Sequence, residues 1–333
     1  MREGQTEVVP RNLRPLSKDG GCFLLDKPMD VLREFPVRKS KKQKQAFREA
    51  VRSYGESLGY SYCEEEAYFG ARNVVFGDPE QADYLVTAHY DTPPRLPFPN
   101  FITPCNLGIY LLYQIGISLL LCIPVFLISW LVGVATENGL FALLGAYASL
   151  FALLWLLMAG PANKSNANDN TSGVITVLET MKAIPLELRD KVCFVLFDLE
   201  EAGLVGSMSY HSKHKKAAER QLVLNADCVG DGDEILFIPC KRLRKKQQDR
   251  LKSWKTLTPT EGEKSITIRD KGICFFPSDQ GNFPYGVGIA AFRRSKVFGL
   301  YCARIHTPKD TICEENNMIL IRDMLIRIIE KGN

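Results

Sequence analysis

The chain has 333 residues and a formal net charge of only +4, too near neutrality to point to a general polyanion partner such as nucleic acid. Its ten cysteines are scattered and never form CxxC, which argues against a zinc ribbon or a redox pair and suits a reducing compartment. The opening stretch (MREGQTEVVPRNLRPLSKDGG) is polar and lacks an apolar core, so a cleaved signal peptide is not expected.

Taken in chain order, residues 1–35 read as a loosely structured lead. Residues 40–58 are helix-like, with Lys41, Lys42, Lys44, Arg48 and Arg52 expected on exposed positions. The run YLVTA at 84–88 reads as a buried strand leading into His89. Then comes the most unusual stretch of the chain. Between Arg95 and Lys164 the only charged residue is Glu137. A membrane-crossing helix needs about 20 mostly apolar residues, and both 107–132 and 139–159 reach that length without a polar stripe. The link between them is short, so the two helices are expected to be antiparallel neighbours, with Gly116, Gly145, Ala146 and Ala148 allowing close approach. Pro124 can kink the first span. Trp130 and Trp155 fall near span ends, where indoles favour the interface. The rival reading is a buried helical hairpin of a soluble core.

After the hairpin come a polar loop at 163–172 and a helix at about 173–183, with Val174, Val177, Leu178 and Met181 on one face. VCFVLF at 192–197 and a run at 222–226 read as central strands. A basic run, KRLRKKQQDRLK at 241–252, is either a solvated segment or a contact for anionic lipid headgroups. An amphipathic helix is expected at 314–331. Apolar strands alternating with helices indicate an α/β fold, a mostly parallel central sheet flanked by helices and interrupted by a two-helix transmembrane hairpin. The domain reading is a lead at 1–35, one catalytic domain built from 36–100 and 160–333, and the inserted hairpin at 101–159. An even number of spans leaves both catalytic halves on one side of the membrane. Arg95 and Lys164 flank the spans on that side, and the opposite loop carries only Glu137, so that side is expected to be cytoplasmic.

Five stretches place candidate metal ligands at strand ends or in polar loops: AHYDT (His89, Asp91), NANDNTSG (Asp169), FDLEEAGLVGS (Glu200, Glu201), LNADCVG (Asp227) and ARIHTPKDT (His306). Two imidazoles with several carboxylates suit a pair of Zn²⁺ ions, with Co²⁺ or Mn²⁺ as alternatives. Such a pair, about 3.5–4 Å apart, shares a bridging carboxylate and activates a water for attack, and a further carboxylate must take its proton. In the adjacent pair Glu200–Glu201 one residue can hold metal while the other faces the substrate. Asp91, two residues after His89, is placed to accept the second N–H of that imidazole, and Asp310 is the candidate for the same role at His306. Of the four histidines, His211 and His214 lie in a basic helix and are expected at the surface.

The ordered set HxD, NDNxSG, EExGxxGS, NxD and HTxxD resembles the M28 family of zinc aminopeptidases. The resemblance implies one metal on His89, Asp169 and Asp227 and a second on Asp169, Glu201 and His306. It makes Asp169 the bridge, Glu200 the general base and Asp91 the support of His89. SDQGNFPYGVGIAAF at 278–292 matches a further family stretch, except that Gln280 stands where the family often has His, which puts substrate-pocket contacts in question. Asn166 stands where Gly is frequent. The function so implied is a membrane-anchored dinuclear zinc aminopeptidase acting on short peptides. The rivals are a non-catalytic binding protein on a peptidase scaffold and a glutaminyl cyclase-like zinc transferase; the latter uses one metal and has Glu where this chain has Asp227.

Overall fold

Two six-residue apolar runs set the centre of the fold. In β3 (Tyr84–His89) and β4 (Val192–Phe197) every residue is buried, as befits strands covered on both faces. Their side chains alternate: Val86, Ala88, Phe194 and Leu196 join one core, while Leu85, Cys193, Val195 and Phe197 join another on the opposite face. The structure, a computed structural model, describes residues 25–259 and 263–332.

In chain order the elements are α1 (Asp30–Glu34), α2 (Lys41–Ser57), β1 (Tyr62–Glu66), β2 (Arg72–Phe76), β3, α3 (Leu107–Thr136), α4 (Gly139–Ala159), α5 (Gly173–Ala183), β4, α6 (Val205–Lys213), α7 (Lys215–Ala218), β5 (Leu222–Ala226), β6 (Glu234–Pro239), α8 (Lys241–Lys246), α9 (Gln248–Lys255), β7 (Ser265–Ile268), β8 (Gly286–Ser295), β9 (Gly299–Tyr301) and α10 (Glu315–Lys331). The strands form one sheet in the order β1-β2-β4-β3-β5-β8-β6-β7, with β9 on the end of β8. The four central strands β4, β3, β5 and β8 are parallel. Antiparallel pairs frame them, β1–β2–β4 on one side and β8–β6 on the other. Helices α2, α5 and α10 feed the larger core through Phe47, Val51, Val174, Leu178, Ile321 and Leu325, and α6 and α7 cover the other face with Tyr210 and Ala218. Because β3, β4 and β5 run the same way, their C-terminal ends open on one edge of the sheet, the usual position of a site in such folds.

Residues 25–35 are packed rather than loose, with Leu25, Val31 and Phe35 in the main core; the rest of the lead, 1–24, lies outside the described residues. Lys41, Lys42 and Arg52 are exposed on α2, but Lys44 and Arg48 are buried. The Lys44 ammonium pairs with Asp198, and Arg48 Nε lies 2.9 Å from Glu64 Oε2. Long stems let both cations reach inward from the apolar face that Phe47 and Val51 anchor. His214 is also buried, its two ring nitrogens 2.6 Å from Glu80 Oε1 and 2.9 Å from Glu65 Oε1. His211 is half-covered, edge-on to Phe283.

The hairpin stands apart from this packing. No residue of α3 or α4 is buried. At about 1.5 Å per residue, the 30 residues of α3 exceed the hydrocarbon thickness of a bilayer, and the 21 of α4 match it. Asn106 caps α3 through Ile109 N at 3.2 Å, and Asn138 caps α4 through Leu140 N at 2.8 Å. Between them Glu137 turns the chain with φ 49°. The helices are joined by a Ser129 hydroxyl donating to Ala142 O at 2.9 Å. A Cβ on Gly145 would stand 3.2 Å from Val132 Cγ2, so this glycine does mark a close approach; Gly116 faces open space and does not.

Candidate metal centre

The site assembles where β3, β4 and β5 end. Thr87 pairs with Asn225 in the β3–β5 register, so His89 and Asp227, each two residues further, come level at the sheet edge. His89 also pairs with Phe197, which puts the loop carrying Glu200 and Glu201 beside it. That loop is tight: Leu199 and Leu204 both take positive φ, and α6 then starts so close to β4 that a Cβ on Gly206 would meet Asp198 O at 2.3 Å. The glycine of the GLVGS stretch is required for that approach.

Asp169 comes from the bend that opens α5 and is joined to Asn170 by a cis peptide bond. Its neighbours tie it to β5. Asn168 Oδ1 accepts Gly230 N at 2.7 Å, and Asn170 donates from Nδ2 to Ala226 O at 3.0 Å. Gly173 sits where a Cβ would meet Ala226 O at 2.3 Å. The NDNTSG stretch thus fixes Asp169 against Asp227. His306 arrives on a loop after β9, with φ 63°.

The polar atoms converge in two groups that share Asp169. His89 Nε2 lies 3.3 Å from Asp169 Oδ1 and 3.7 Å from Asp227 Oδ1. His306 Nε2 lies 3.2 Å from Asp169 Oδ2 and 3.5 Å from Glu201 Oε2. In each triad, His89–Asp169–Asp227 and Asp169–Glu201–His306, the candidate ligand atoms lie within 4.8 Å of one another. Glu200 joins His89 and Glu201 in a third group within the same distance. Asp91 faces His89 Nδ1 at 3.4 Å and accepts Glu200 N at 3.0 Å and Glu201 N at 3.3 Å. It therefore steadies the imidazole and the two glutamates together.

Such a cluster is electrostatically incomplete. Burial opposes a charge on His89, yet Glu200, Asp169, Asp227 and Asp91 outweigh it and hold the imidazole pKa well above its usual value. Burial, with the neighbouring carboxylates, pushes Glu200 and Glu201 well above the usual carboxylate range. Asp169 goes the other way: burial penalises it, but His306 and His89 pull it below its usual value. Asp227 Oδ1 is buried with no hydrogen-bond partner among the described residues. Paired imidazoles, a shared carboxylate and an unpartnered buried oxygen are a donor set that fits two divalent cations, zinc foremost.

One support lies elsewhere than its place in the sequence suggests, and others carry no motif. Asp310 does not hold His306; its carboxylate accepts Asn168 N at 2.8 Å and Asp169 N at 3.0 Å, bracing the bridging loop instead. The His306 loop turns its Nδ1 away, with no partner among the described residues. Arg38 was unforeseen. Fully buried, it donates to Tyr90 O at 2.6 Å, Phe35 O at 2.7 Å and Thr171 Oγ1 at 3.1 Å, joining the His89–Asp91 turn to the Asp169 loop. Burial lowers its pKa to about 10, against the charges of Asp91 and Asp169. Asp279 also belongs here: buried, it accepts the Ser207 hydroxyl at 2.5 Å, and burial raises its pKa to about 7. The SDQ stretch was its only signal in the sequence. Gln280 is buried and accepts Asn225 Nδ2 at 3.0 Å, so its amide serves the polar layer under the site. Asn166 donates to Thr92 Oγ1 at 2.8 Å.

The sequence profile of peptidase family M28 matches residues 155–325, more than half of the chain. This chain belongs to peptidase family M28. The match begins inside the hairpin, so the β3 end with His89 lies outside it and is joined to the rest by the fold. No curated protein matches the sequence significantly. Among solved structures the chain is similar to the Legionella pneumophila LapA aminopeptidase, with 12% identity, 91% of this chain and 70% of that chain covered, and a TM-score of 0.54. A Zn-dependent exopeptidase from Parabacteroides distasonis gives 14% identity, 91% and 96% coverage, and a TM-score of 0.54. The Porphyromonas gingivalis glutaminyl cyclase gives 16% identity, 92% and 97% coverage, and a TM-score of 0.53. At these identities the likeness is one of fold. An M28 chain is a zinc peptidase by family, and both peptidase and cyclase structures share its architecture.

Proposed function

We propose that this M28 protein is a membrane-anchored dinuclear zinc aminopeptidase that removes N-terminal residues from short peptides on the cytoplasmic side. One observation carries the reading: the two oxygens of Asp169 face different imidazoles, His89 on one side and His306 on the other. In this reading His89, Asp169 and Asp227 hold one zinc, and Asp169, Glu201 and His306 hold the other. Bound zinc supplies Lewis acidity, acidifying a water and polarising the scissile carbonyl.

The protein's own groups do the rest. Glu200, raised in pKa by burial and by its neighbours, is suited to take a proton from the attacking water and return it to the leaving amine. Asp91 keeps His89 and the Glu200 backbone in register. Asp310 and Arg38 hold the Asp169 loop so that its carboxylate spans both positions. Asp227 favours a peptidase over a one-metal cyclase because it completes a second ligand set with His89. The presence of every expected ligand weighs against a non-catalytic scaffold.

The length and apolarity of α3 and α4, and the lack of any buried residue in them, support the spans. Arg95 and Lys164 at their base support a cytoplasmic domain. In the basic run at 241–252, Arg242 pairs with Glu219 and Lys252 with Asp249, while the exposed Lys241, Lys245 and Lys246 are the cations proposed to meet anionic headgroups.

A panel of aminoacyl chromogenic substrates tests the activity, with an N-terminal glutaminyl peptide assayed alongside. Release of the chromophore that a chelator stops and zinc restores is expected. Cyclisation of the glutaminyl peptide with release of ammonia, and no aminoacyl hydrolysis, would make the cyclase reading the right one.

A further inference from the structure

Two loops at the foot of the hairpin end in apolar tips that nothing among the described residues covers. In the loop after β7, KGICFF at 271–276, Ile273 is 68% exposed and Phe275 44%. In the turn between β8 and β9, Val297 is 72% exposed and Phe298 38%. Both loops touch the chain that starts the hairpin. The Phe275 ring lies 5.6 Å from that of Tyr110, in the first turn of α3, and Phe275 N donates to Pro104 O at 2.8 Å. Phe298 meets Phe101 edge-on at 5.3 Å, and Phe101 lies 5.2 Å from Tyr113. The exposed apolar edge is therefore continuous with the exposed surface of α3.

The acidic groups nearest these tips are taken up in ion pairs, Asp270 with Lys255, Glu234 with Arg294 and Asp231 with Arg293 and Arg304. Neither 271–278 nor 293–309 contains an aspartate or glutamate. Lys271 and Lys296 stand at the loop shoulders, exposed and without an ion pair among the described residues. From the other side Arg244 of α8 leans in and donates to Gly272 O at 2.8 Å. Aromatic and aliphatic tips with cationic shoulders are the composition of a surface that lies in a membrane interface. Leu186, 74% exposed in the helical turn that leads into β4 and so at the opposite end of the parallel strands, stands outside this cluster.

We propose that the loops at 271–276 and 296–299 seat in the interfacial layer of the phospholipid bilayer that the hairpin crosses, with Lys271 and Lys296 on headgroup phosphates. The hairpin and the two loops then make three separate contacts, which fix the tilt of the domain. The segment leading to the hairpin is also bonded to the His306 loop, by Leu96 N to His306 O at 2.8 Å and Asn100 N to Ile305 O at 3.3 Å. Docking of the loops thereby sets how far the metal ligands stand from the membrane surface. The inference rests on the reading of α3 and α4 as spans.

The test uses the full chain in vesicles of phosphatidylcholine and phosphatidylglycerol. W130F/W155F leaves the buried Trp254 as constant background. Single reporters I273W, V297W and L186W are then added. At positions 273 and 297 the emission should be blue-shifted and quenched by acyl-chain-brominated lipid, and it should resist iodide. At 186 it should be red and quenched by iodide. Iodide-quenched, lipid-insensitive emission at 273 and 297, in a chain that still resists alkaline extraction, would overturn the docking. Release of the chain by alkaline carbonate would overturn the span reading itself.

Discussion

Around Asp169, carboxylates and imidazoles crowd together in a buried space, whereas α3 and α4 contain no charged residue and no buried one. Both regions break the usual rule for a soluble protein, in opposite senses. Buried charge is costly unless paired, and the centre carries more negative charge than its two imidazoles can balance. Exposed apolar surface of this extent is costly in water. Each region is incomplete as protein alone; in the proposed reading cations complete one and a bilayer the other. They are close along the chain, which leaves His89 and Asp91, passes the bond from Leu96 to His306, and enters α3 at Leu107.

Substitutions at the centre should have large effects, and the largest tests the division of labour between the two glutamates. Glu200→Ala is expected to lower kcat by about 10²–10⁴-fold while zinc content, measured by metal analysis, stays unchanged. Loss of zinc would show instead that Glu200 is a ligand. Asp91→Asn should weaken zinc binding by about 10–100-fold, read by competition with a chelating dye, because the amide would support the His89 imidazole less well than the carboxylate does.

Away from the centre the effects should be on stability. Glu65 first, then Glu80, raise the pKa of His214 against the opposing effect of burial. A raised folded pKa means stabilisation that is full below the unfolded value of about 6.5 and fades as pH rises through the folded value. His214→Ala should therefore lower the melting temperature more at pH 6 than at pH 9. An equal loss at both would assign His214 a packing role only. The smallest catalytic effect is expected from the hairpin. Replacing 107–159 by a short polar linker should leave kcat/KM for a soluble aminoacyl substrate nearly unchanged while making the chain extractable from vesicles by alkaline carbonate. A large fall in kcat/KM would show that the hairpin shapes the site.

The contrast between the regions also explains what could be read from the sequence. The strands β3, β4 and β5 announced themselves as short apolar runs, and the ligands followed because each stands at or just beyond a strand end or in a polar motif of fixed order. The hairpin was legible for the same reason, uniform composition over a long stretch. What stayed hidden depends on where long or loop-borne side chains reach. Lys44, Arg48 and His214 look like surface charges until the buried carboxylates Asp198 and Glu65 and the half-buried Glu64 are seen beside them. Asp310 lies four residues from His306 in sequence, yet the loop turns it toward the backbone of Asp169. Arg38 carries no motif at all; only the meeting of Tyr90, Phe35 and Thr171 in space reveals it.

The central claim is a two-zinc centre whose ligands lie on both sides of the inserted hairpin. Anomalous diffraction at the zinc edge, from crystals of the purified full chain, tests it most directly. Two peaks about 3.5–4 Å apart are expected, one beside His89 and Asp227, the other beside His306 and Glu201, with Asp169 between. A single peak, or zinc held without His89, would contradict it.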